Sequence, residues 1–482
     1  MSTIHNHSKK KISNRERGQV LIVVAFAIVG IVAVVGLSLD VGVLFIENAR
    51  LRRAVDAAAL AAALQYREGY QISYLDTSAR EFLRLNGIND PLALVQVCQD
   101  PSDPDYPNHH NADLCPQPGD MARKLVRVVA RGIAPLAFLP VIGIDDAPIA
   151  AEATSETASV DVVLVLDRSD SMTWGDPILS IGDPMRDPSI CNYAPNPIDA
   201  SYQGYCRPFD DVKRAAISFV EQLYYPYDRV AVVTFDKTVN PARLLHFSNV
   251  EADIVTFIKG LTVFQGEETG TPPTGINAIY PDGLPSRWYD PGGVYYGLDC
   301  PQTDPDLQVF YPDFPSPAPC TTTNIGAGLY TAGVEYNIPP VRKNSLWVVI
   351  LLTDGVANAG YDENALYFCP VGTWGHSDIP PKCNDGNSTT RHAAGSGDYD
   401  SEDYAYDGAD FVADSQSALI FTIGLGPKVT QVSTVDGTPL GELLLQYAAD
   451  VGHGTYTPAP SSAQLEEIFQ NIAKNIATRL TH

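Results

Sequence analysis

Residues 162–171 read VVLVLDRSDS, an apolar run that ends in a carboxylate and two hydroxyls. The run Val162–Leu166 predicts a buried strand, so Asp167, Ser169 and Ser171 are expected on the loop where that strand ends. In open α/β folds ligands bind at this position. Carboxylate and hydroxyl oxygens suit Mg²⁺ and not Zn²⁺ or copper. The alternative is that Asp167 and Ser169 only cap a helix.

Two later segments continue this pattern. Residues 323–328, TNIGAG, open a predicted helix, and residues 346–355, LWVVILLTDG, form a second apolar run that ends in a carboxylate. In chain order these segments supply Asp167, Ser169, Ser171, Thr323 and Asp354. Together they resemble the metal-ion-dependent adhesion site (MIDAS) of von Willebrand factor type A (VWA) domains, and the resemblance spans about residues 160–480.

This resemblance implies an α/β, Rossmann-like fold, with a central mostly parallel sheet flanked by helices. Alternation of strands and helices along the chain is typical of that class. The predicted strands are Val162–Leu166, Val230–Phe235, Trp347–Thr353 and Leu419–Ile423. The predicted helices lie near Asp211–Leu223, Ala252–Lys259, Ile325–Tyr336, Gly441–Ala449 and Leu465–Leu480.

The resemblance also implies roles at the metal. Ser169 and Ser171 are expected to coordinate Mg²⁺ (or Mn²⁺) directly, and Thr323 directly or through water. Asp167 and Asp354 are expected to act mostly through water. A protein ligand offering an Asp or Glu carboxylate would complete the octahedron. Neutral hydroxyl ligands leave the ion electrophilic, which favours such a carboxylate.

The site departs from the family pattern in two places. Asp170 stands where the family commonly has glycine, and adds a carboxylate that could repel an acidic ligand or change the metal preference. Residues 320–323, Cys-Thr-Thr-Thr, replace the usual Gly-Gly-Thr, so Thr322 is an alternative to Thr323.

The N-terminus predicts a membrane anchor. The 20 residues Val20–Leu39 carry no charge, which is enough to span a bilayer. Five basic residues precede this run and three follow it. The excess predicts a cytoplasmic N-terminus and an extracytoplasmic bulk, at the cell surface or in the periplasm. A cleaved signal peptide is the alternative.

The flanks of this run carry a second resemblance. Residues 17–19, Arg-Gly-Gln, and the alanine-rich residues 51–63 resemble the N-terminal segment of TadE/TadG-like proteins, which are pilin-like membrane proteins associated with Flp pili. Pilus components are therefore expected partners. The predicted organisation is a cytoplasmic basic tail (1–19), a transmembrane helix (20–46), a helical extension with a small α/β spacer (47–158) and the VWA domain (159–482). In the spacer, strands are predicted near Lys124–Arg131 and Ala147–Ser155.

The eight cysteines fall into neighbouring pairs along the chain. Local pairing is the simplest hypothesis, and it requires an oxidising compartment. Eight free thiols are the alternative, and Cys98, His109, His110 and Cys115 could instead hold a metal. The candidate disulfides are Cys98–Cys115, Cys191–Cys206, Cys300–Cys320 and Cys369–Cys383.

Three insertions enlarge the VWA domain, at about residues 173–209, 265–322 and 357–400. All three adjoin metal-bearing segments, and each carries one cysteine pair. They predict a stapled cap that recognises a partner, or one that covers the metal and makes it structural; growth of tolerated surface loops is the alternative. The acidic run 398–403 lacks the glycine and glutamate of an EF-hand loop, so a solvated acidic turn before a helix is expected.

Composition limits the function. The formal net charge of −25 argues against nucleic-acid binding, which needs a basic surface. No Ser-His-Asp or Cys-His arrangement stands out, and Ser169 occupies the position where aspartate phosphohydrolases need a second Asp, so no enzyme activity is expected. The sequence predicts a membrane-anchored protein that binds a protein partner through its metal, in adhesion or Flp-type pilus assembly. The alternative is a structural cell-envelope protein whose capped metal only stabilises the fold.

Overall fold

The chain divides into two compact units, Met1–Thr157 and Ala158–His482. The computed structural model describes residues 14–66, 70–89, 92–103, 105–117, 121–180, 183–236, 238–264, 287–289, 295–299, 319–320, 323–362, 365–368, 390–394, 399–430, 432 and 439–479.

The first unit is built on one long helix, α1 (Asn14–Ala63). Its apolar first half is exposed, and over the described residues it is the one helix long and apolar enough to cross a membrane. Its second half is buried against helix α2 (Ile72–Leu85) and an antiparallel sheet. The helix begins at Asn14, inside the segment 1–19 that the sequence predicted as a basic tail.

The sheet of this unit has the order β1-β2-β3, with strands Leu94–Gln96, Lys124–Pro135 and Asp146–Thr157. Strands β2 and β3 pair along their whole length. Along β2 the side chains from Lys124 to Ala130 are alternately buried and half-buried, as expected for a sheet with one face on the core. The predicted strand pair is present and extends further toward its turn.

The second unit contains a six-stranded sheet with the order β14-β13-β10-β4-β5-β6. Five strands are parallel, and the edge strand β6 is antiparallel. This confirms the predicted α/β class. The strands are β4 (Val160–Asp167), β5 (Arg229–Phe235), β6 (Leu245–Ser248), β10 (Leu346–Thr353), β13 (Leu419–Leu425) and β14 (His453–Ala459).

Helices cover both faces of the sheet because its central strands are apolar on both faces. Val162, Leu164 and Leu166 of β4 belong to one core, and Val163 and Val165 belong to the other. The first core includes residues of α4 (Phe209–Val220), α5 (Glu251–Lys259) and α9 (Leu465–Arg479). The second includes residues of α6 (Ile325–Glu335), α7 (Ser401–Asp410) and α8 (Leu440–Val451).

The structure describes more of the first predicted insertion than of the other two. The first contains the short helix α3 (Pro188–Cys191). Most of the second and third lie outside the described residues. Their described parts include a three-stranded antiparallel sheet of β7 (Arg287–Tyr289), β8 (Tyr295–Asp299) and β9 (Pro319–Cys320), and a hairpin of β11 (Ala359–Asp362) and β12 (Ala365–Phe368).

The acidic run at 398–403 is not a solvated turn in its described part. Asp400 caps α7 by accepting from the N–H groups of Glu402 and Asp403 at 2.9 and 3.0 Å, and Asp403 caps Asp400 in return. All three side chains are buried. The capping box satisfies N–H groups at the helix start that would otherwise lack partners, which allows the carboxylates to be buried.

Among the described residues two disulfides are formed, Cys98–Cys115 and Cys191–Cys206. The first excludes the alternative in which those cysteines hold a metal with His109 and His110. Of the other two predicted pairs, Cys300, Cys369 and Cys383 lie outside the described residues.

Candidate metal centre

The centre lies where the chain leaves the middle of the sheet. Strand β4 has β5 on one side and β10 on the other, and all three are parallel. The chain therefore departs from β4 and β10 in opposite directions, which opens a crevice at their carboxyl ends. Asp167 ends β4, and Asp354 directly follows β10.

Hydrogen bonds join four of the five residues predicted for the site. The backbone N–H of Ser169 donates to Oδ1 of Asp167 at 2.8 Å. The hydroxyl oxygens of Ser169 and Ser171 lie 3.0 Å apart, and Ser171 donates to Oδ1 of Asp354 at 2.6 Å. Asp167 and Ser169 thus belong to a cluster that crosses two strands, and their local bond is only one part of it.

Thr323 enters the site from the start of α6. Its side chain is buried, and a Cβ added to Gly355 would lie 3.4 Å from its hydroxyl oxygen. Its backbone N–H donates to Oδ1 of Asn358, whose own N–H donates to the Thr323 carbonyl at 3.1 Å. The threonine is therefore fixed beside the segment that carries Asp354. The alternative residue, Thr322, lies outside the described residues.

The sequence did not assign a role to Thr353 or Asn358. The buried hydroxyl of Thr353 donates to Oδ2 of Asp167 at 2.6 Å. It therefore holds Oδ2 of this carboxylate, while Oδ1 accepts from the Ser169 N–H. Thr353 directly precedes Asp354 at the end of the predicted strand, so this position in the sequence could have identified it. Asn358 had no comparable signal, because its contact with Thr323 depends on the fold.

The electrostatics of the centre suit a cation. Burial and the nearby Asp354 carboxylate raise the pKa of Asp167 above its ordinary value. Burial likewise raises the pKa of Asp354. The two carboxylates are buried close together, so each disfavours the negative charge of the other.

The donor chemistry fits a hard metal ion. Hydroxyl and carboxylate oxygens are the ligands of Mg²⁺ and Mn²⁺. Within the part of the chain that the structure describes, no group of three or more His, Cys, Asp or Glu side chains is placed to hold a metal. A metal centre here would therefore depend on the hydroxyls of Ser169, Ser171 and Thr323.

A lysine from the segment after β13 lies at the same crevice. Lys428 follows β13, which is parallel to β10, and it lines a pocket together with Ser171, Trp174 and Asp354. Its Nζ lies 3.2 Å from the centre of the Trp174 ring. Burial lowers the pKa of this ammonium, while the carboxylates of Asp354, Asp170 and Asp167 oppose that effect.

Asp170 and two residues of the first insertion, Trp174 and Arg186, interact with this lysine. Asp170 is buried in the turn that follows Ser169. The guanidinium of Arg186 lies 4.7 Å from the centre of the Trp174 ring, so one indole is in contact with two cations. Beside the acidic centre there is thus a basic and aromatic rim, which the sequence did not predict.

The N-terminal segment matches a known family. Residues 18–65 match the family model for TadE/G-like Flp pilus assembly. These residues form most of α1, including its apolar half. No curated protein matches the chain.

Several solved structures are similar to this chain at low sequence identity. The pilus adhesin SpaC from Lactobacillus rhamnosus GG has a TM-score of 0.37 and 13% identity; the similarity covers 74% of this chain and 33% of SpaC. The vWF domain of the type V pili tip protein Mfa5 from Porphyromonas gingivalis has a TM-score of 0.35 and 15% identity, with 68% and 97% covered. The PilB minor pilin from Streptococcus sanguinis has a TM-score of 0.36 and 16% identity, with 74% and 76% covered.

This chain spans only a third of the SpaC chain, and the TM-scores are low, so the fold assignment rests on the strand order and register described above. Residues 18–65 match the TadE/G-like Flp pilus-assembly model, and the chain joins that segment to a mixed α/β domain with a central, mostly parallel sheet.

Proposed function

We propose that this protein is a membrane-anchored, extracytoplasmic binding protein that uses Mg²⁺ or Mn²⁺ to bind a protein ligand, in adhesion or in the assembly of a Flp-type pilus. The observation that carries the proposal is the hydrogen-bonded chain from Asp167 through Ser169 and Ser171 to Asp354. It lies at a switch point of the sheet, in a chain with a TadE/G-like segment.

In this proposal each residue has a distinct task. Ser169, Ser171 and Thr323 hold the ion through their hydroxyl oxygens. Ser171 donates a hydrogen bond to Asp354, which leaves a lone pair of its oxygen available. Asp167 and Asp354 balance charge and fix the hydroxyls. When bound, the ion supplies a Lewis-acidic position for a carboxylate oxygen of the partner.

Binding is favoured over catalysis because the described residues that line the pocket beside Ser171 include no histidine to serve as the base for a hydroxyl nucleophile. The hydroxyl of Ser171 instead donates to the Asp354 carboxylate, which in this proposal balances the charge of the ion. The proposed chemistry is therefore reversible coordination of a carboxylate.

The extracytoplasmic location is supported by the disulfides and by the charges around α1. Cys98–Cys115 and Cys191–Cys206 both follow the apolar helix in sequence, and disulfides persist outside the reducing cytosol. The basic residues that precede the apolar run favour a cytoplasmic N-terminus.

A second candidate is a structural cell-envelope protein whose metal only stabilises the fold. It is favoured by the depth of the centre, since Asp354 is 7% exposed and the other four residues are less exposed still. A metal held so deeply could be closed to a partner.

Pilus binding under chelation separates these functions. Full-length protein in detergent is immobilised and exposed to isolated Flp pili, with Mg²⁺ or with EDTA. The variants are Ser169→Ala and, as an exposed control on the first insertion, Ser180→Ala. We expect binding to be lost with EDTA and in Ser169→Ala, and to persist in Ser180→Ala.

The unfolding transition is measured on the same samples. If EDTA lowers stability but pilus binding persists, the structural candidate is correct. If EDTA and Ser169→Ala change neither property, the metal hypothesis is wrong.

A further inference from the structure

The turn between β2 and β3 exposes an apolar surface. We define this turn, residues 136–145, as the hairpin tip. Val141 is 84% exposed, Ile142 70% and Ile144 46%. Three large aliphatic side chains close together in sequence form the kind of exposed apolar patch that marks an interaction surface.

The hairpin tip is fastened to α1 through Asp40. This carboxylate accepts backbone N–H groups from Ala137 at 2.6 Å, Phe138 at 2.9 Å and Leu139 at 2.8 Å. Its side chain is buried beneath the tip. Charge-assisted hydrogen bonds of this kind are roughly twice as strong as neutral ones, so the tip is firmly held at this level of the helix.

A glycine allows the tip to approach the helix closely. A Cβ added to Gly36 would lie 2.2 Å from a ring carbon of Phe138. The aromatic ring therefore packs directly on the helix backbone, one turn before Asp40. Gly36 and Asp40 together place the hairpin tip beside the last turn of the apolar run Val20–Leu39.

The position along α1 sets the depth of the tip. Twenty helical residues rise about 30 Å, which is the thickness of the hydrocarbon core. If α1 spans the bilayer, Gly36 and Asp40 lie at the interface farther from the N-terminus. Leu37 and Leu39 of the helix are each 54% exposed at the same level. Exposed apolar side chains of the tip and of the helix therefore occur at the same level along α1.

We infer that the hairpin tip is a second membrane contact, which inserts Val141, Ile142 and Ile144 among the lipid acyl chains at this interface. A carboxylate at this depth is costly unless it is paired, and the three N–H groups of the tip provide its partners. The tip and the helix would therefore enter the membrane as one unit. The inference depends on α1 spanning the membrane and not on the metal centre.

Tryptophan fluorescence tests this inference in the full chain. The protein is reconstituted into phosphatidylcholine vesicles with unlabelled or brominated acyl chains, because bromine quenches tryptophan on contact. The four native tryptophans all lie after residue 157, so the signal of a Val141→Trp variant is read as its difference from wild type. Tyr74→Trp is the control: Tyr74 is 55% exposed on α2, near the end of α1 that is remote from the apolar run.

We expect the added emission of Val141→Trp to be blue-shifted and strongly quenched by brominated lipid, and that of Tyr74→Trp to be neither. Water-like, unquenched emission from Val141→Trp would overturn the inference. Blue-shifted but unquenched emission would also overturn it, because protein, such as a second copy of this chain, would then cover the tip.

A second variant tests the role of Asp40. In the background of Val141→Trp, Asp40→Ala removes the acceptor for three N–H groups, and we expect the quenching by brominated lipid to fall. Quenching equal to that of the single variant would contradict the role assigned to Asp40.

Discussion

The hydroxyl of Ser171 donates a 2.6 Å hydrogen bond to Oδ1 of Asp354, although 183 residues separate the two in sequence. The bond joins the loop after β4 to the residue after β10, and so links the two sides of the crevice. It also fixes the direction of the Ser171 proton. A serine oriented in this way can offer its oxygen to a cation while Asp354 keeps the hydroxyl in place.

Thr353→Val tests the support of Asp167. The substitution keeps the shape of the side chain but removes the 2.6 Å hydrogen bond to the carboxylate. We expect Mg²⁺ affinity to fall about tenfold, as is typical when a residue that orients a metal ligand is changed. Calorimetry measures the affinity, and denaturant unfolding measures the loss of stability, which should be about 2 kcal/mol.

Thr422→Val is the matched control for that variant. Thr422 is also a buried threonine of the sheet, and its hydroxyl donates to the Leu445 carbonyl at 2.8 Å. It should lose about 1 kcal/mol of stability with no change in Mg²⁺ affinity. Equal affinity losses in the two variants would mean that Thr353 acts only through general stability.

Lys428→Met tests the charge at the rim of the centre. The ammonium of Lys428 interacts with Asp354, Asp170 and Asp167, so it competes for the same negative charge as a divalent ion. Its removal should tighten Mg²⁺ binding by on the order of 1 kcal/mol, measured by calorimetry. Lys474→Met, at an exposed position of α9, should leave the affinity unchanged. Weaker binding in Lys428→Met would contradict this account.

Asp161→Asn tests the opposite end of β4. Asp161 is fully buried and accepts from Arg229 at 2.7 and 3.0 Å, and also from Arg342. Removing its charge leaves both guanidinium groups without their anionic partner, which should cost about 3–5 kcal/mol. Denaturant unfolding followed by tryptophan fluorescence measures this loss. Asp450→Asn, exposed at the end of α8, is the control and should change little.

The stability difference between wild type and Asp161→Asn should also depend on pH. Burial would raise the pKa of Asp161, but the hydrogen bonds from Arg229 and Arg342 outweigh burial and hold the pKa below its ordinary value. A lowered folded pKa stabilises the fold fully above the unfolded value of about 3.9, and this contribution is lost as the pH falls through the folded pKa. The stability difference between wild type and Asp161→Asn should therefore be constant near neutral pH and shrink below about pH 4. A difference that shrinks near neutral pH would contradict this sign.

Replacing both Cys191 and Cys206 with serine tests the first insertion. This disulfide closes a loop of 15 residues beside the core, and its loss should cost the second unit about 3 kcal/mol. Replacing Cys98 and Cys115 is the control, because that disulfide belongs to the first unit. All four tryptophans lie in the second unit, so their unfolding transition should move only for the first pair. A similar shift for the control pair would argue against separate units.

The central strands were predictable because burial on both faces requires continuous apolar runs, as in β4 and β10. The edge strands β6 and β14 were not predicted. They are partly exposed, and β14 contains Pro458, so neither carries a clear apolar pattern. Strand β6 pairs with β5 and β14 pairs with β13, at the two edges that the more central strands leave open.

The sequence predicted only those parts of the candidate site whose residues lie close together along the chain. Ser169 and Ser171 follow a strand directly, so their proximity to Asp167 is local. The contact between Asn358 and Thr323 arises from the path of the chain after β10, and Lys428 arrives from β13 because β13 pairs in parallel with β10. The acidic residues at the start of α7 were expected in water, but reciprocal capping allowed their burial. No local pattern contains this information, since each case depends on which segments the sheet brings together.

The most direct test of the proposed metal centre is calorimetry of Mg²⁺ binding to the full chain in detergent, under non-reducing conditions, with wild type and Asp167→Ala. We expect saturable binding at a single site in wild type. We expect no binding in Asp167→Ala, with the tryptophan emission of the folded protein retained. A folded wild type that binds no Mg²⁺, or an Asp167→Ala variant that binds it equally well, would show that Asp167 does not belong to a metal centre.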